Sequence, residues 1–126
     1  MKKAIIYILI SISSLAMMAQ EKSPMINFEK ETIDYGDISK GSEGTRTFVF
    51  ENTGTAPLLI KGVSSSCGCT IPKKPEDPVA PGEKGEIIVR YDTNRVGKFL
   101  KTITVNTNVP ATAMIALKIK GNVLSQ

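Results

Sequence analysis

The sequence predicts an all-β protein: an antiparallel β-sandwich of about seven strands, preceded by a cleaved signal peptide. Three observations predict it. Past Lys22 the apolar residues recur at every second position, β-branched and aromatic types dominate those positions, and clusters of Gly, Pro and Asn interrupt them at short intervals. No window carries the apolar spacing of a helix.

The leader comes first in the chain. Lys2 and Lys3 give a basic start, Ala4 to Ile12 form an apolar run, and small residues follow before the sequence turns polar. The run is too short to span a bilayer comfortably. Cleavage after Ala16 fits the small-x-small rule, but cleavage after Ala19 sits better at the change of polarity and is preferred. Residues 1–19 are then the signal peptide and residues 20–126 a single domain. No cysteine stands near either cleavage site, so no residue for acylation is offered. The mature chain is expected to lack a transmembrane or lipid anchor and to be exported, to the periplasm or the cell exterior.

Charge excludes one class of partner. The full chain carries 16 basic and 12 acidic residues; losing Lys2 and Lys3 brings the net charge from +4 to +2. A weakly basic domain without Trp has neither the basic stripe nor the stacking aromatics that nucleic acid requires.

Seven segments read as strands: Met25 to Phe28, Thr32 to Tyr35, Thr45 to Asn52, Leu58 to Ser65, Glu86 to Tyr91, Phe99 to Thr107, and Ile115 to Val123. Ile87, Val89 and Tyr91 alternate with Glu86 and Arg90, and Ile115, Leu117, Ile119 and Val123 alternate with Lys118, Lys120 and Asn122, giving one dry and one wet face. Phe48 and Phe50 share a face and are core candidates, with Ile103 and Val105 opposite. Turns are expected at Lys40-Gly41-Ser42, Asn52-Thr53-Gly54, Pro81-Gly82-Glu83, Asn94 to Gly97 and Asn108-Val109-Pro110, where Gly supplies positive φ, Pro fixes φ and Asn bonds its own backbone. The segment around Gly82 and Gly85 matches no phosphate-binding loop and reads as a hairpin turn. Seven short strands at this spacing suggest two packed sheets of the immunoglobulin-like kind.

The order Asn52-Thr53-Gly54, Ala56-Pro57-Leu58, Ser66-Cys67-Gly68-Cys69-Thr70, Pro81-Gly82-Glu83, Gly97-Lys98-Phe99 and Ile103 to Thr107 resembles a family of secreted bacterial domains known as domain of unknown function 1573, frequent in the Bacteroidetes. The resemblance covers about residues 26 to 123, and Cys-Gly-Cys-Thr followed by Pro-Gly-Glu is its most specific part. It implies an immunoglobulin-like fold related to the major sperm protein and Hydin-type domains, which serve in assemblies and binding rather than catalysis.

Cys67 and Cys69, the only cysteines, are the candidate site. In a regular strand residues two apart have Cα atoms about 6.5 to 7 Å apart, at the upper edge of the disulfide range. Gly68 offers a bend that shortens the gap. A three-residue ring stabilises by roughly 1.6 kcal/mol in the loop-entropy relation, so such a bond is poorly suited to hold a fold and better suited to exchange. Three readings stay open: two thiols packed as small apolar groups, a disulfide or redox pair, or a Cu(I) site with Met25 or Met114 assisting. Zinc needs more ligands than two thiols and no His supply.

Ser64, Ser65 and Ser66 have no His to accept a proton and read as a hydroxyl-rich strand end. Asp34, Asp37, Glu43, Glu51, Glu83, Glu86 and Asp92 show no spacing that pairs two of them, and Lys73-Lys74 reads as a solvated loop. The expected function is that of a non-enzymatic envelope module, binding or structural, that meets a protein or surface glycan through loops or a sheet edge and needs no cofactor. The alternative is a thiol–disulfide or Cu(I) protein using Cys67 and Cys69.

Overall fold

The computed structural model describes residues 21–126; the expected signal peptide lies outside the described residues. Among the described residues eight strands form: β1 (Ile26–Phe28), β2 (Thr32–Ser39), β3 (Thr45–Asn52), β4 (Ile60–Ser65), β5 (Thr70–Lys73), β6 (Lys84–Tyr91), β7 (Gly97–Thr107) and β8 (Met114–Leu124). They make two four-stranded sheets, ordered β1-β3-β6-β5 and β2-β8-β7-β4. Among the described residues no helix is long and apolar enough to cross a membrane.

The period-two pattern becomes the core. Phe48, Phe50, Ile87, Val89 and Tyr91 face inward from the first sheet, and Ile103, Val105, Leu117, Ile119 and Val123 meet them from the second. Each is removed from water, and burying such a side chain stabilises by about 1.5–3 kcal/mol. Phe48 and Phe50 from one sheet and Ile103 and Val105 from the other do share this core.

Four details depart from the sequence reading. The strand β5 has no counterpart in it, because four residues are too few to show alternation and Pro72 weakens the signal. Pro72 is tolerated because β5 is an edge strand, where a missing N–H interrupts no ladder. The strand β2 runs on past Tyr35, through a shift in register between Asp34 and Asp37. Gly36 sits in that bulge at φ 68°, and the Asp34 carboxylate accepts its N–H at 2.8 Å. The extra residue flips the phase, so Ile33, Tyr35 and Ile38 all reach the core although their spacing is not even.

The third departure is direction: β2 pairs with β8 in parallel, the one such pair among antiparallel neighbours. A parallel pair needs a long crossover, and here the rest of the domain supplies it. The fourth is Pro81-Gly82-Glu83. Gly82 (φ 81°) lies in a β-turn closed by the Glu83 N–H donating to Ala80 O at 3.0 Å. That turn ends the long connection from β5 to β6 instead of forming a tight hairpin. The strand β8 lies inside its sheet, paired with β2 on one side and β7 on the other.

Candidate functional site

Both cysteines lie at a corner where the chain leaves one sheet for the other. The strand β4 ends at Ser65 in the second sheet, and β5 begins at Thr70 in the first. Between them the Thr70 N–H donates to Cys67 O at 3.3 Å, closing a turn that brings the Cα atoms of Cys67 and Cys69 to 5.3 Å. The sulfurs are joined as a disulfide. The turn, and not glycine's special freedom, shortens the gap: Gly68 is absent from the positive-φ glycines, and a Cβ built on it meets nothing within 4 Å.

Hydroxyls pin the corner to both sheets. Ser65 Oγ lies 2.6 Å from Cys67 O and 2.7 Å from Thr70 O, so its single proton serves either carbonyl. The Ser66 N–H donates to Thr102 O at 3.0 Å, and Ser66 Oγ accepts the Thr102 N–H at 3.2 Å. On the other side the Asp92 N–H donates to Cys69 O at 2.8 Å. The Ser65 and Ser66 hydroxyls thus brace the sheet-to-sheet crossing.

The two sulfurs live in different surroundings. Cys69 is 6% exposed within the core, with its Sγ 3.8 Å from Thr70 Oγ1. Cys67 is only partly buried, and its Sγ accepts the Cys69 N–H at 3.3 Å. Neither methionine stands nearby. Met25 bonds through its backbone to Asn52 and Thr53, and Met114 pairs with Asn106, both at the opposite end of the sandwich.

Two further turns meet the cysteine corner. The Gly41 N–H donates to Thr93 O at 3.0 Å, the Thr93 hydroxyl to Ser42 O at 2.6 Å, and the Tyr91 N–H to Gly44 O at 3.0 Å. Residues 41–44, 68–71 and 90–94 thereby enclose a cleft of about 450 Å³. Its wall carries Glu43, Arg90, Asp92 and Asn94, with the exposed Ile71 at the rim and Tyr91 as part of the floor. Sequence reading passed over these residues because they come from three separate turns and share no spacing. Ser42 also lines the cleft, while its hydroxyl is shut off from solvent. Among the described residues it is the one buried side-chain polar atom with no hydrogen-bond partner, a position that ordinarily finds one.

Hydrogen bonds from Thr45, including its N–H at 2.8 Å, hold the Glu43 carboxyl below its usual range.

Aromatic packing supports the floor. Tyr91 stacks on Phe99 with centroids 3.9 Å apart, Tyr35 meets Phe99 edge-on at 5.3 Å, and the Arg46 guanidinium lies 4.1 Å above the Tyr35 ring. The Tyr35 hydroxyl donates to Gly44 O at 2.7 Å, tying β2 to the cleft loop.

Burial pushes the Tyr35 hydroxyl from its ordinary 10.0 up to about 12, with Arg46 opposing. The folded state thus holds the phenolic proton more tightly than the unfolded chain. Stability from this source is complete below pH 10 and is lost as pH rises toward 12. Tyr35→Phe should cost about 1 kcal/mol at neutral pH, since Gly44 O keeps the Tyr91 N–H. It should also flatten the alkaline decline, which urea unfolding at a series of pH values will read.

Reduction should cost little. Opening a three-residue ring removes roughly 1.6 kcal/mol or less, so the reduced protein should stay folded with a slightly lower melting temperature. Unfolding on reduction would show that the bond holds the corner together.

Two four-stranded sheets closed over one core make an immunoglobulin-like sandwich. The chain belongs to the family described as protein of unknown function (DUF1573), whose model matches residues 26–123. Solved structures agree in fold. A protein of unknown function from Porphyromonas gingivalis W83 is similar with a TM-score of 0.72 at 14% identity, over 86% of this chain and 50% of that one. The chain thus spans half the length of that protein. The ASH / PapD-like domain 7 of human CEP192 gives 0.67 at 10% identity, over 89% of this chain and 94% of that one. The periplasmic chaperone SfaE gives 0.53 at 10% identity, over 81% and 58%. At these identities the likeness is one of fold. No curated protein matches the sequence.

Proposed function

We propose that this protein is an exported, non-enzymatic module of the cell envelope that binds a partner, a protein or a surface glycan, in the cleft at the cysteine end. The observation that carries the reading is the cleft itself: three turns locked together by backbone hydrogen bonds, presenting charged groups of both signs and an exposed Ile71. A pre-formed concave site with a few convergent polar groups is the usual form of a binding site.

Loops are favoured over sheet edges because every edge is blunted. The strand β1 has three residues, β5 contains Pro72, and both β2 and β4 carry register shifts. Short, bulged or proline-bearing edges are how sheets avoid adding a strand. Export is supported by the leader pattern and by the likeness to a periplasmic chaperone. The non-enzymatic reading is supported by the lack of His in the whole sequence and by the engagement of Glu43 with Thr45.

The test is capture from envelope extract, alongside a glycan array, by the wild type and by an Ile71→Asp, Arg90→Glu variant. Leu100→Ser, which alters an exposed residue on the outer face of β7, serves as control. One partner held by wild type and control but lost from the cleft variant is expected. Capture that survives the cleft substitutions, or no specific capture at all, overturns the reading.

A further inference from the structure

We infer that the Cys67–Cys69 bond is a thiol–disulfide exchange site of fixed polarity: Cys67 is the sulfur that bonds covalently to a substrate thiol or disulfide, and Cys69 is the sulfur that resolves that bond. This stands independently of the binding role proposed above.

The polarity follows from the unequal surroundings of the sulfurs. Cys67 is partly exposed, and the Cys69 N–H points at its Sγ from 3.3 Å. An N–H aimed at a sulfur favours its thiolate, the nucleophilic form. Cys69 is 6% exposed, at the inner wall of the cleft, where burial disfavours a thiolate and an outside sulfur reaches it less readily than Cys67. Gly68 adds to access: it is exposed, its φ does not demand glycine, and open space surrounds the position its Cβ would take. A bare backbone beside the sulfur pair leaves its approach uncovered.

The chemistry balances with one co-reactant, a substrate disulfide. In the reduced protein the Cys67 thiolate attacks one sulfur of that disulfide. A Cys67–substrate bond forms, the substrate's own S–S bond breaks, and its other sulfur leaves with the electron pair and takes up a proton. Cys69 then gives its proton to water and attacks Cys67 Sγ, closing the bond present in this structure and expelling the substrate's first sulfur as thiolate. The substrate is reduced by two electrons and the protein's dithiol oxidised by two. Run backwards, the same route lets the closed disulfide oxidise a substrate dithiol, entering again at Cys67.

The corner tolerates both states because its hydrogen bonds do not depend on the S–S bond. Ser65, Ser66 and the Asp92 N–H hold Cys67 O, Thr102 and Cys69 O without involving either sulfur. Cys69 is therefore kept beside Cys67 after reduction, which is what a resolving sulfur requires.

The experiment compares reduced wild type, Cys67→Ser and Cys69→Ser, each first checked for a native β-sheet spectrum. With Ellman's reagent the Cys69→Ser protein, which keeps Cys67, should react at least about tenfold faster than Cys67→Ser. Incubated with glutathione disulfide, and separately with an unfolded polypeptide bearing one disulfide, Cys69→Ser should accumulate a covalent adduct mapped to Cys67. Wild type should accumulate none and finish oxidised. An adduct from either source supports the inference and tells a small-molecule substrate from a protein one. Equal reactivity of the single variants, faster reaction of Cys67→Ser, no adduct from either source, or a wild-type adduct as lasting as that of Cys69→Ser overturns it. Should a variant fail the fold check, limiting iodoacetamide on reduced wild type gives the same answer: Cys67 modified first supports the inference, and Cys69 modified first or equally overturns it.

Discussion

Asn52→Leu is expected to lower the unfolding free energy by about 3–5 kcal/mol, among the largest effects of any single substitution in this domain. Asn52 is fully buried, and its amide uses all of its hydrogen-bonding capacity. Nδ2 donates to Ala56 O at 2.8 Å and Val79 O at 2.9 Å, while Oδ1 accepts the N–H of Gly54 at 2.9 Å and of Met25 at 3.3 Å. One side chain thus joins the chain entering β1, the turn after β3 and the connection leading to β6. Leucine has similar bulk but leaves the Met25 and Gly54 N–H groups and Ala56 O without a protein partner, each costing about 1–3 kcal/mol where water is excluded. Asn52→Asp gives a sharper test. Its carboxylate would face two carbonyl oxygens, so the folded state would favour the protonated acid and raise its pKa above the unfolded value of about 4. Stability of that variant should be greatest below about pH 4 and fall as pH rises, a slope the wild type lacks. Guanidinium midpoints across pH 3 to 8 read both variants, on the order of a dozen points each sufficing for the linear extrapolation. A loss under about 1 kcal/mol for Asn52→Leu would mean that water replaces the amide and that Asn52 is no rivet.

A second large effect is expected within the first sheet, where β1, β3 and β6 meet around Phe50. Phe50 is fully buried and pairs in register with Gly85 on β6, and its ring occupies the space into which a Cβ on Gly85 would project. The ring has nowhere to retreat, because Phe28 stands against its other side with centroids 5.5 Å apart. Phe50→Ala should cost about 3–5 kcal/mol through the cavity it leaves, and Gly85→Ala about 1–3 kcal/mol through overpacking. The two sites compete for one volume, so Gly85→Ala combined with Phe50→Leu should lose less than the sum of the single losses. Strict additivity in that double-mutant cycle would show that the ring and the glycine do not share the space.

The core was legible in the sequence because a pleated backbone sends alternate side chains to opposite faces. Phe48, Phe50, Ile87, Val89, Ile103, Val105, Leu117 and Ile119 needed only that rule. Legibility fails where the period breaks: at the Gly36 bulge, which carries Ile38 inward out of phase, and at β5, too short to show a period. It fails differently at Asn52. As a turn residue beside Gly54 it was placed correctly, but its complete burial depends on Val79, far along the chain. Likewise the cysteine spacing left the disulfide open, since the distance depends on whether the backbone extends or turns at Gly68.

By itself the sequence determined the class of fold, the composition of the core and the place of the cysteines at the end of a strand. Each is set by neighbours close in the chain and by the alternation of wet and dry positions. Only the tertiary structure decided that β4 and β5 belong to different sheets, that the turns around residues 43, 68 and 92 enclose one cleft, and that Cys67 is more open to solvent than Cys69. Those facts depend on which segments far apart in the chain are brought together when the sheets close, and no local pattern of residue types carries that information.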